Sequence, residues 1–545
     1  MEKENRRSLG FAPTARSTAC RDRRGRRDLK GEVSAPLGSR YQGRKEPHLT
    51  DRPTVILALL TPAVLLVHGY HPLADDGAVY ATGIKKLAHP ALYQPDAVFA
   101  LSPTRLSIFA HVLAGVLRWG LFPLPALLLV CHVASIFLFL LGSWKVAARI
   151  FREQNARWGA VLLAACCFTL PVAGTSLSIM DPYVTARSFS TPFMLFALAA
   201  VLDEQWVTCG LWLALAALLH PLMACYAAVA AITLVLTKHR MWRSLSLLAV
   251  LGWVLCAVIF MVTRHADPGV AYNRAALSRS YFFLSSWRWY EYLGLLMPLL
   301  LLGIAGAAKR APWPTRTLAI SATILGGCAL VASGCFVHRT GSLLLARLQV
   351  LRAFHFVYVA GVLLAGGMLA RLAQQQKRII AALYGAVLLI MFAAQRITYP
   401  ASSHVEWPGL TPRNPWQQSF LWIRNNTSED AIFALDNDYI EWPGEDAQGF
   451  RATAERSAVA DYFKDGGIAS NFRLAAIPWW QGSQATKQLN SATDEQRLAR
   501  LWPLGVTWIV LPAQANTGFP CPFTNASVRV CRLRGALLHR TEGAK

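Results

Sequence analysis

The sequence predicts an α-helical polytopic membrane protein with about eleven transmembrane helices and a small C-terminal α/β domain. Of its 545 residues, 54% are hydrophobic and only 15% are charged. The mean hydropathy of +0.34 is too high for a soluble chain of this length, which needs far more polar surface. Apolar runs long enough to cross a bilayer as helices also recur between residues 53 and 396.

The apolar runs and the basic residues between them together predict a topology. The predicted spans are 53–70, 119–142, 158–177, 189–203, 206–220, 222–237, 243–263, 289–308, 317–337, 349–370 and 379–396. The connections expected to be cytoplasmic are net basic, and they are 143–157, 238–243, 309–316 and 371–378. With a cytoplasmic N-terminus, an odd number of spans places the C-terminal part outside. This arrangement requires 102–118 to lie at the outer interface or to re-enter the membrane.

Three regions follow from this topology. Residues 1–50 are rich in arginine, glycine and serine, and we expect a disordered basic cytoplasmic tail. Residues 51–396 form the transmembrane bundle, and its first outer loop, 71–118, is long. Residues 397–545 alternate helical and strand patterns, which predicts an exported α/β domain.

The exported domain contains five recognisable segments. Its helical patterns are Trp416–Arg424 and Glu495–Leu501, and its strand candidates are Ala431–Leu435, Val506–Leu511 and Ser527–Cys531. The last of these strands alternates in polarity, and we interpret it as an edge strand. Of eleven cysteines, only Cys521 and Cys531 fall in this domain, where their spacing permits a disulfide if that side is oxidising.

The formal net charge of +24 does not indicate nucleic-acid binding. Much of the excess lies in the N-terminal tail and in the short loops that set orientation, whereas the C-terminal domain is nearly neutral. Anionic membrane lipids are therefore the expected partner of the basic tail. No metal-type spacing of cysteine and histidine and no glycine-rich phosphate loop is present.

The candidate catalytic residues are Asp75 and Asp76, which directly follow the first span. Two adjacent carboxylates are costly to remove from water, so we expect them in a wet cavity or at the interface. One could serve as general base, or as a metal ligand, while the other orients it or tunes its pKa. The alternative interpretation is that an aspartate caps the helix that begins near Ala78.

The candidate substrate-binding residues all lie in predicted outer loops or turns, and they are Asp181, Arg187, His220, Arg347 and Arg352. Positive charge on the outer side opposes the usual bias and indicates a bound anion, with Arg352 as the first choice for a phosphate. The alternatives are an Asp-Pro turn at Asp181, a satisfied polar residue at His220 and arginines that reach for lipid headgroups.

One span, a long outer loop that begins with acidic residues, about ten further spans and an exported α/β domain together resemble the GT-C superfamily of bacterial integral-membrane glycosyltransferases. Several short motifs are also similar to uncharacterised bacterial membrane proteins of that architecture. They cover roughly residues 50–480 and are Ala74–Gly77, the Arg187 loop, His220–Pro221, Gln349 with Arg352, and Phe450–Lys464. The resemblance implies a catalytic base at Asp75 or Asp76 and a polyprenyl-phosphate sugar as donor. Some members of the superfamily use a divalent metal. Here the only further acidic candidate is Asp181. The sequence therefore identifies no cofactor, and it neither requires nor excludes a divalent metal.

The sequence therefore supports two function hypotheses. The first is a bacterial inner-membrane glycosyltransferase of inverting type, which transfers a sugar from a polyprenyl phosphate to a cell-envelope acceptor outside. The second is a lipid or solute transporter, or a non-catalytic membrane scaffold, in which the acidic loop only gates or caps. Inverted repeats would favour transport, and the sequence shows none.

The predicted topology has a direct test. A phosphatase fused after residue 545 should be active, because that enzyme folds only outside the cytoplasm and the C-terminal domain is expected there. A green fluorescent protein fused at the same position should stay dark. A bright fluorescent fusion with an inactive phosphatase fusion would overturn the span count.

Overall fold

The computed structural model describes residues 52–120, 122–265, 268–373, 375–442 and 449–533. The tail predicted for residues 1–50 lies outside this described part. Most described residues are helical, and a small sheet occupies the C-terminal part. The helices before that part are α1 Arg52–His68, α2 Asp75–Ala88, α3 Ala97–Leu101, α4 Phe109–Arg118, α5 Leu124–Ile150, α6 Gln154–Cys166, α7 Ala186–Leu202, α8 Trp206–Leu219, α9 Pro221–Lys238, α10 Trp242–Thr263, α11 Val270–Leu277, α12 Trp289–Ala307, α13 Trp313–Phe336, α14 Leu343–Leu348, α15 Phe354–Leu372 and α16 Lys377–Thr398.

Seven of the described helical segments are long and apolar enough to cross a membrane, which defines a multi-pass membrane protein. They are α5, α9, α10, α12, α13, the stretch from α14 through α15, and α16. Helices α1, α7 and α8 are apolar but shorter. A helix occupies at least part of each of the eleven predicted spans, yet the count of eleven remains a prediction.

Two segments depart from a simple span. Helix α6 has 13 residues and ends at Cys166, well before the predicted boundary at 177. The chain instead forms the hairpin of β1 Pro171–Val172 and β2 Leu177–Ser178. The outer segment bends by 112° between Ala97–Leu106 and α4, which gives it the shape of a broken span or a re-entrant loop.

Small residues allow the helices of the bundle to approach closely. A Cβ atom on Gly159 of α6 would lie 2.5 Å from the carbonyl oxygen of Gly366 in α15, and a Cβ atom on Gly366 would meet Gly159 at 2.4 Å. Gly142 of α5 similarly abuts Leu195 of α7. Lipid tails are as apolar as leucine, so close backbone packing of this kind is what holds such helices together.

The C-terminal part combines helices with a mixed five-stranded sheet. Its helices are α17 Pro415–Asn426, α18 Phe450–Ala454, α19 Lys464–Asn471, α20 Arg473–Ala485 and α21 Asp494–Leu501. Its strands are β3 Ile432–Ala434, β4 Ser457–Ala458, β5 Trp508–Pro512, β6 Phe523–Thr524 and β7 Val528–Arg532, in the order β4-β3-β5-β7-β6. Strand β3 pairs in parallel with β4 and β5, whereas β7 is antiparallel to β5 and β6.

The prediction that residues 527–531 form an edge strand is wrong. Strand β7 lies between β5 and β6 because the two-residue strand β6, too short to recognise in the sequence, pairs with its outer side. The three strand candidates and both helical patterns otherwise coincide with observed elements. Cys521 and Cys531 form a disulfide next to β6 and β7.

A buried ion-pair network joins the C-terminal part to the first outer loop. The Arg451 guanidinium makes two hydrogen bonds of 2.9 Å to the Asp465 carboxylate, and its Nε donates to Asp96. The Tyr93 hydroxyl donates to the carbonyl of Arg451 at 2.8 Å. Nearby, the Lys85 ammonium lies 2.6 Å from Glu455. These contacts fix α19 against α2 and α3.

Replacing Arg451 with methionine should therefore destabilise the protein strongly. The change leaves the Asp96 and Asp465 carboxylates buried without a cation, which costs about 3–5 kcal/mol. The loss should appear as a lower thermal midpoint and as faster proteolysis of the C-terminal part in nanodiscs. The matched control is Arg473→Met, which removes an exposed arginine at the start of α20. Equal effects of the two changes would contradict this account.

Candidate functional site at the outer end of the bundle

Asp75 and Asp76 form the first turn of α2, and their side chains do not cap it. The N-cap residue is Ala74, which makes no side-chain capping hydrogen bond. Asp75 has a φ of 47°, in the left-handed region that aspartate tolerates better than most residues. The structure therefore does not support the interpretation of these aspartates as capping residues.

Both aspartates contact cations. The Tyr183 hydroxyl donates a 3.1 Å hydrogen bond to Asp75 Oδ2, and the Lys464 ammonium pairs with Asp75 Oδ1. The same ammonium lies 3.9 Å from Asp76, and Arg187 Nη1 lies 3.7 Å from Asp76 on the other side. Each aspartate side chain is 43% exposed, so water reaches both carboxylates.

Asp181 and Arg187 form a buried ion pair beside the two aspartates. Arg187 Nη2 and Nε donate to Asp181 Oδ2 at 2.6 and 3.2 Å. Burial raises the pKa of Asp181, and the Arg187 charge opposes that rise. Asp181 thus holds the Arg187 guanidinium in the place from which it reaches Asp76.

Four of the seven predicted site residues meet in one cavity of about 330 Å³, and Asp181, Arg187 and Arg347 do not line it. Asp75, Asp76, His220 and Arg352 line it together with Lys464, and we call it the Arg352 cavity. Its apolar wall contains Tyr80, Leu106, Leu219, Leu222 and Phe472. His220, Leu219 and Leu222 belong to the ends of the apolar helices α8 and α9, so the cavity borders the membrane-spanning part of the bundle.

Arg352 is the basic side chain with the most unused hydrogen-bonding capacity in this cavity. Within the described residues its guanidinium makes no ion pair with a carboxylate, and its buried Nε has no hydrogen-bond partner. The guanidinium lies 5.8 Å from the centre of the Tyr281 ring. The neighbouring Gln349 also has a buried side-chain oxygen without a partner. Unused buried polar groups of this kind indicate a place that a polar ligand fills.

Arg347 does not line the cavity, although the sequence predicted it to bind substrate. Its Nε and Nη2 donate to the carbonyls of Ser470 and Tyr272 at 2.8 and 2.9 Å. Arg279 acts similarly, with donation to the carbonyls of Tyr462 and Phe463. These two arginines hold both ends of α19, because a guanidinium offers several donors in a fixed geometry.

The sequence reasoning missed Lys464 as a site residue. Lys464 follows Asp76 by almost four hundred residues, and in the sequence it appeared only as the end of the Phe450–Lys464 motif. Burial lowers the pKa of Lys464 to about 8, and the carboxylates of Asp75 and Asp76 act in the opposite direction. The side chain arrives at the aspartates only because α19 is fixed to the bundle.

Three residues that line the cavity have left-handed backbone conformations. The φ values of Asp75, Ser176 and Gln349 are 47°, 53° and 52°. None of the three is glycine, so each conformation costs free energy that the surrounding packing must offset. Strained backbone of this kind concentrates at functional sites, which supports this cavity as the site.

The residues present do not suit a divalent metal. The described part of the chain contains no group of three or more histidine, cysteine, aspartate or glutamate side chains placed to hold one. The two aspartates of the site each face a cationic side chain. A divalent ion would need further oxygen ligands at the positions that these cationic side chains occupy.

Comparison with known proteins gives a distant structural likeness. No protein-family model and no curated protein matches the sequence. The fold is similar to crystal structures of an oligosaccharyltransferase from Archaeoglobus fulgidus, over 85% of this chain. With an acceptor peptide tethered through a disulfide, that protein shows 13% identity, 69% coverage of its own chain and a TM-score of 0.46. In the complex with zinc and sulfate, the same protein shows 12% identity, 68% coverage of its own chain and a TM-score of 0.42. So remote a likeness assigns no chemistry, which has to come from this chain's own residues.

The contact between Lys464 and the aspartates can be tested by zero-length cross-linking. A carbodiimide joins a carboxylate to an amine in direct contact, so the peptide that contains Asp75 and Asp76 should be found joined to the Lys464 peptide by mass spectrometry. Lys464→Gln should remove this product and leave the cross-link between Lys85 and Glu455, a 2.6 Å pair, unchanged. Recovery of the second cross-link without the first would show that α19 lies elsewhere.

Proposed function

We propose that this protein is an inverting glycosyltransferase of the GT-C type, which transfers a sugar from a polyprenyl phosphate to an acceptor on the outer side of the membrane. The observation that carries the proposal is the composition of the Arg352 cavity. One wall presents two partly exposed carboxylates, another presents an arginine that has no ion-pair partner among the described residues, and a third consists of the ends of apolar helices. A lipid-linked phosphate and a reaction that removes a proton require these three components.

The proposed phosphate contacts are Arg352 and Lys464, with His220 close by. A guanidinium matches two phosphate oxygens at once, and an ammonium adds a compact charge. The isoprenoid chain would leave past Leu106, whose side chain is 60% exposed, and past Leu222. This direction leads from the cavity towards the lipid-facing surface of the bundle.

The proposed reaction is a single displacement at the anomeric carbon. An aspartate carboxylate takes the proton of an acceptor hydroxyl while the hydroxyl oxygen forms a bond to that carbon. The bond between the carbon and the phosphate oxygen breaks, and the oxygen keeps the electron pair. The cations of the cavity stabilise the negative charge that develops on the departing phosphate. One displacement of this kind inverts the configuration of the sugar.

The proposed location follows from the predicted topology. The protein would lie in a bacterial inner membrane with eleven spans in residues 51–396, a cytoplasmic N-terminus and an extracytoplasmic domain formed by residues 397–545. The loops rich in lysine and arginine would then lie opposite the site, as orientation by positive charge requires. The acceptor would be a component of the cell envelope, and the donor reaches the cavity from the lipid phase.

Conversion of both aspartates to asparagine should abolish transfer. Asp75→Asn with Asp76→Asn keeps side-chain size but removes the base, and general-base catalysis accounts for about 10²–10⁴ in rate. The measurement is incorporation of radioactive sugar from a pool of polyprenyl-phosphate-linked sugars into envelope material. Asp430→Asn, at an exposed position, serves as the control for fold and expression.

Undiminished transfer by the double variant, with a normal elution profile, would exclude the aspartates as the base. Movement of lipid or solute across proteoliposome membranes without any sugar transfer would favour the transporter instead. That second function has no specific support in the site, because transport does not need a base beside an anion-binding arginine.

A further inference from the structure

A second cavity, of about 370 Å³, lies next to the Arg352 cavity. It is enclosed by the β1–β2 hairpin, the Asp181 loop and the segment before α12, and we call it the Ser280 cavity. Its polar lining residues are Asp75, Ser176, Ser178, Asp181, Tyr183, Ser280, Tyr281, Ser286 and Glu291. Asp75, Ser176 and Tyr281 line both cavities and therefore form the boundary between them.

We propose that the Ser280 cavity binds the acceptor through a polyhydroxylated group such as a sugar ring, and that Asp75 rather than Asp76 is the base. This inference rests on the proposed function and extends it, because it assigns the second substrate to a place and separates the roles of the two carboxylates.

The wall of the Ser280 cavity suits a ligand with several hydroxyl groups. Serine and tyrosine hydroxyls both donate and accept hydrogen bonds, and a carboxylate only accepts them. Glu291 Oε2 accepts from the backbone N–H of Arg288 at 2.6 Å, which fixes the carboxylate and leaves Oε1 for another donor. A small set of fixed polar groups in a concave site is how binding sites orient a polar ligand.

Trp287 provides a second, independent indication of a ligand. Its side chain is 8% exposed, and its indole nitrogen has no hydrogen-bond partner among the described residues. A buried donor without a partner is costly, so such a group calls for an explanation. Gly174 leaves room for the indole, since a Cβ atom there would lie 2.3 Å from the ring. The indole thus lines the Ser280 cavity and is held in a fixed position against Gly174.

The two cavities differ in how a molecule would reach them. Ser280, which lines only the Ser280 cavity, is exposed, whereas the Arg352 cavity is bounded by the ends of α8 and α9. Trp289 and Tyr290, which follow the cavity in sequence, are 74% and 49% exposed, as residues of an interfacial aromatic belt would be. A polar acceptor can thus enter from the water side while the lipid donor enters from the membrane side.

The boundary position distinguishes Asp75 from Asp76. Asp75 lines both cavities, and the hydrogen bond from Tyr183 orients its carboxylate. Asp76 lines only the Arg352 cavity and faces Arg187. A base has to contact the acceptor hydroxyl while that oxygen attacks the donor, so only a group on the boundary meets both requirements. Asp76 is then a positioning residue for Arg187 and Lys464.

Two matched serine-to-tryptophan changes test the assignment of the cavities. Ser280→Trp fills the Ser280 cavity, and Ser107→Trp fills the Arg352 cavity, which Ser107 lines. The probes are tritiated polyprenyl phosphate and a mixture of simple monosaccharides observed by saturation-transfer NMR in nanodiscs. Ser280→Trp should lose the sugar signals and keep the lipid phosphate, and Ser107→Trp should do the reverse.

Loss of lipid phosphate binding in Ser280→Trp, or sugar signals that persist there, would overturn the acceptor assignment. Failure of the proposed function has a different signature, because then the wild-type protein binds no polyprenyl phosphate at all. The base assignment is tested by single variants. Asp75→Asn should lower kcat by about 10²-fold or more, whereas Asp76→Asn should mainly raise the KM for the donor. The opposite pattern would make Asp76 the base.

Discussion

The ion pairs of Arg451 with Asp96 and Asp465 are the interaction on which the candidate site depends. They connect three parts that are distant in the sequence, namely the first outer loop, the start of α18 and helix α19. Lys464 is the first residue of α19, so its ammonium reaches Asp75 only while this network holds. Breaking a buried pair leaves an uncompensated buried charge, which is strongly destabilising. The contact between α19 and the first outer loop therefore forms completely or is lost. The C-terminal domain thereby becomes part of the site and not merely its neighbour.

The arginines of the outer side fall into two groups. One group donates to protein oxygens and holds the structure together, and the other has donors that a ligand can use. Arg279 and Arg347 donate to backbone carbonyls around α19, and Arg187 donates from Nε and Nη2 to Asp181. Arg352 is buried at Nε without a partner in the described part of the chain. A cation held in a cavity with so little compensation is costly unless an anion joins it, so Arg352 is the residue that most strongly indicates a bound phosphate.

The sequence predicted the periodic parts of the fold and the candidates that lie beside them. Apolar runs revealed the helices, and Asp75, Asp76, His220 and Arg352 stood out because charged or polar residues at span ends are costly. Lys464 could not be found in this way, since only tertiary contacts bring it to the aspartates. Arg347 lies outside the Arg352 cavity and donates to backbone carbonyls, and composition does not tell such a contact from a ligand contact. The short α6 escaped notice because residues 167–177 are apolar enough to continue a span, although they form a hairpin.

The position of Asp75 explains why its strained backbone is retained. With a φ of 47°, the residue begins α2 in a conformation that most side chains avoid, and an ordinary helix start would need no such conformation. In this conformation the carboxylate lies on the boundary between a cavity with an available guanidinium and a cavity lined by hydroxyls. The hydrogen bond from Tyr183 and the ion pair with Lys464 hold it there from two sides. Strain at this one residue, offset by contacts from α19 and the Asp181 loop, is how the fold holds a single carboxylate between the two cavities, which is the position of the proposed base.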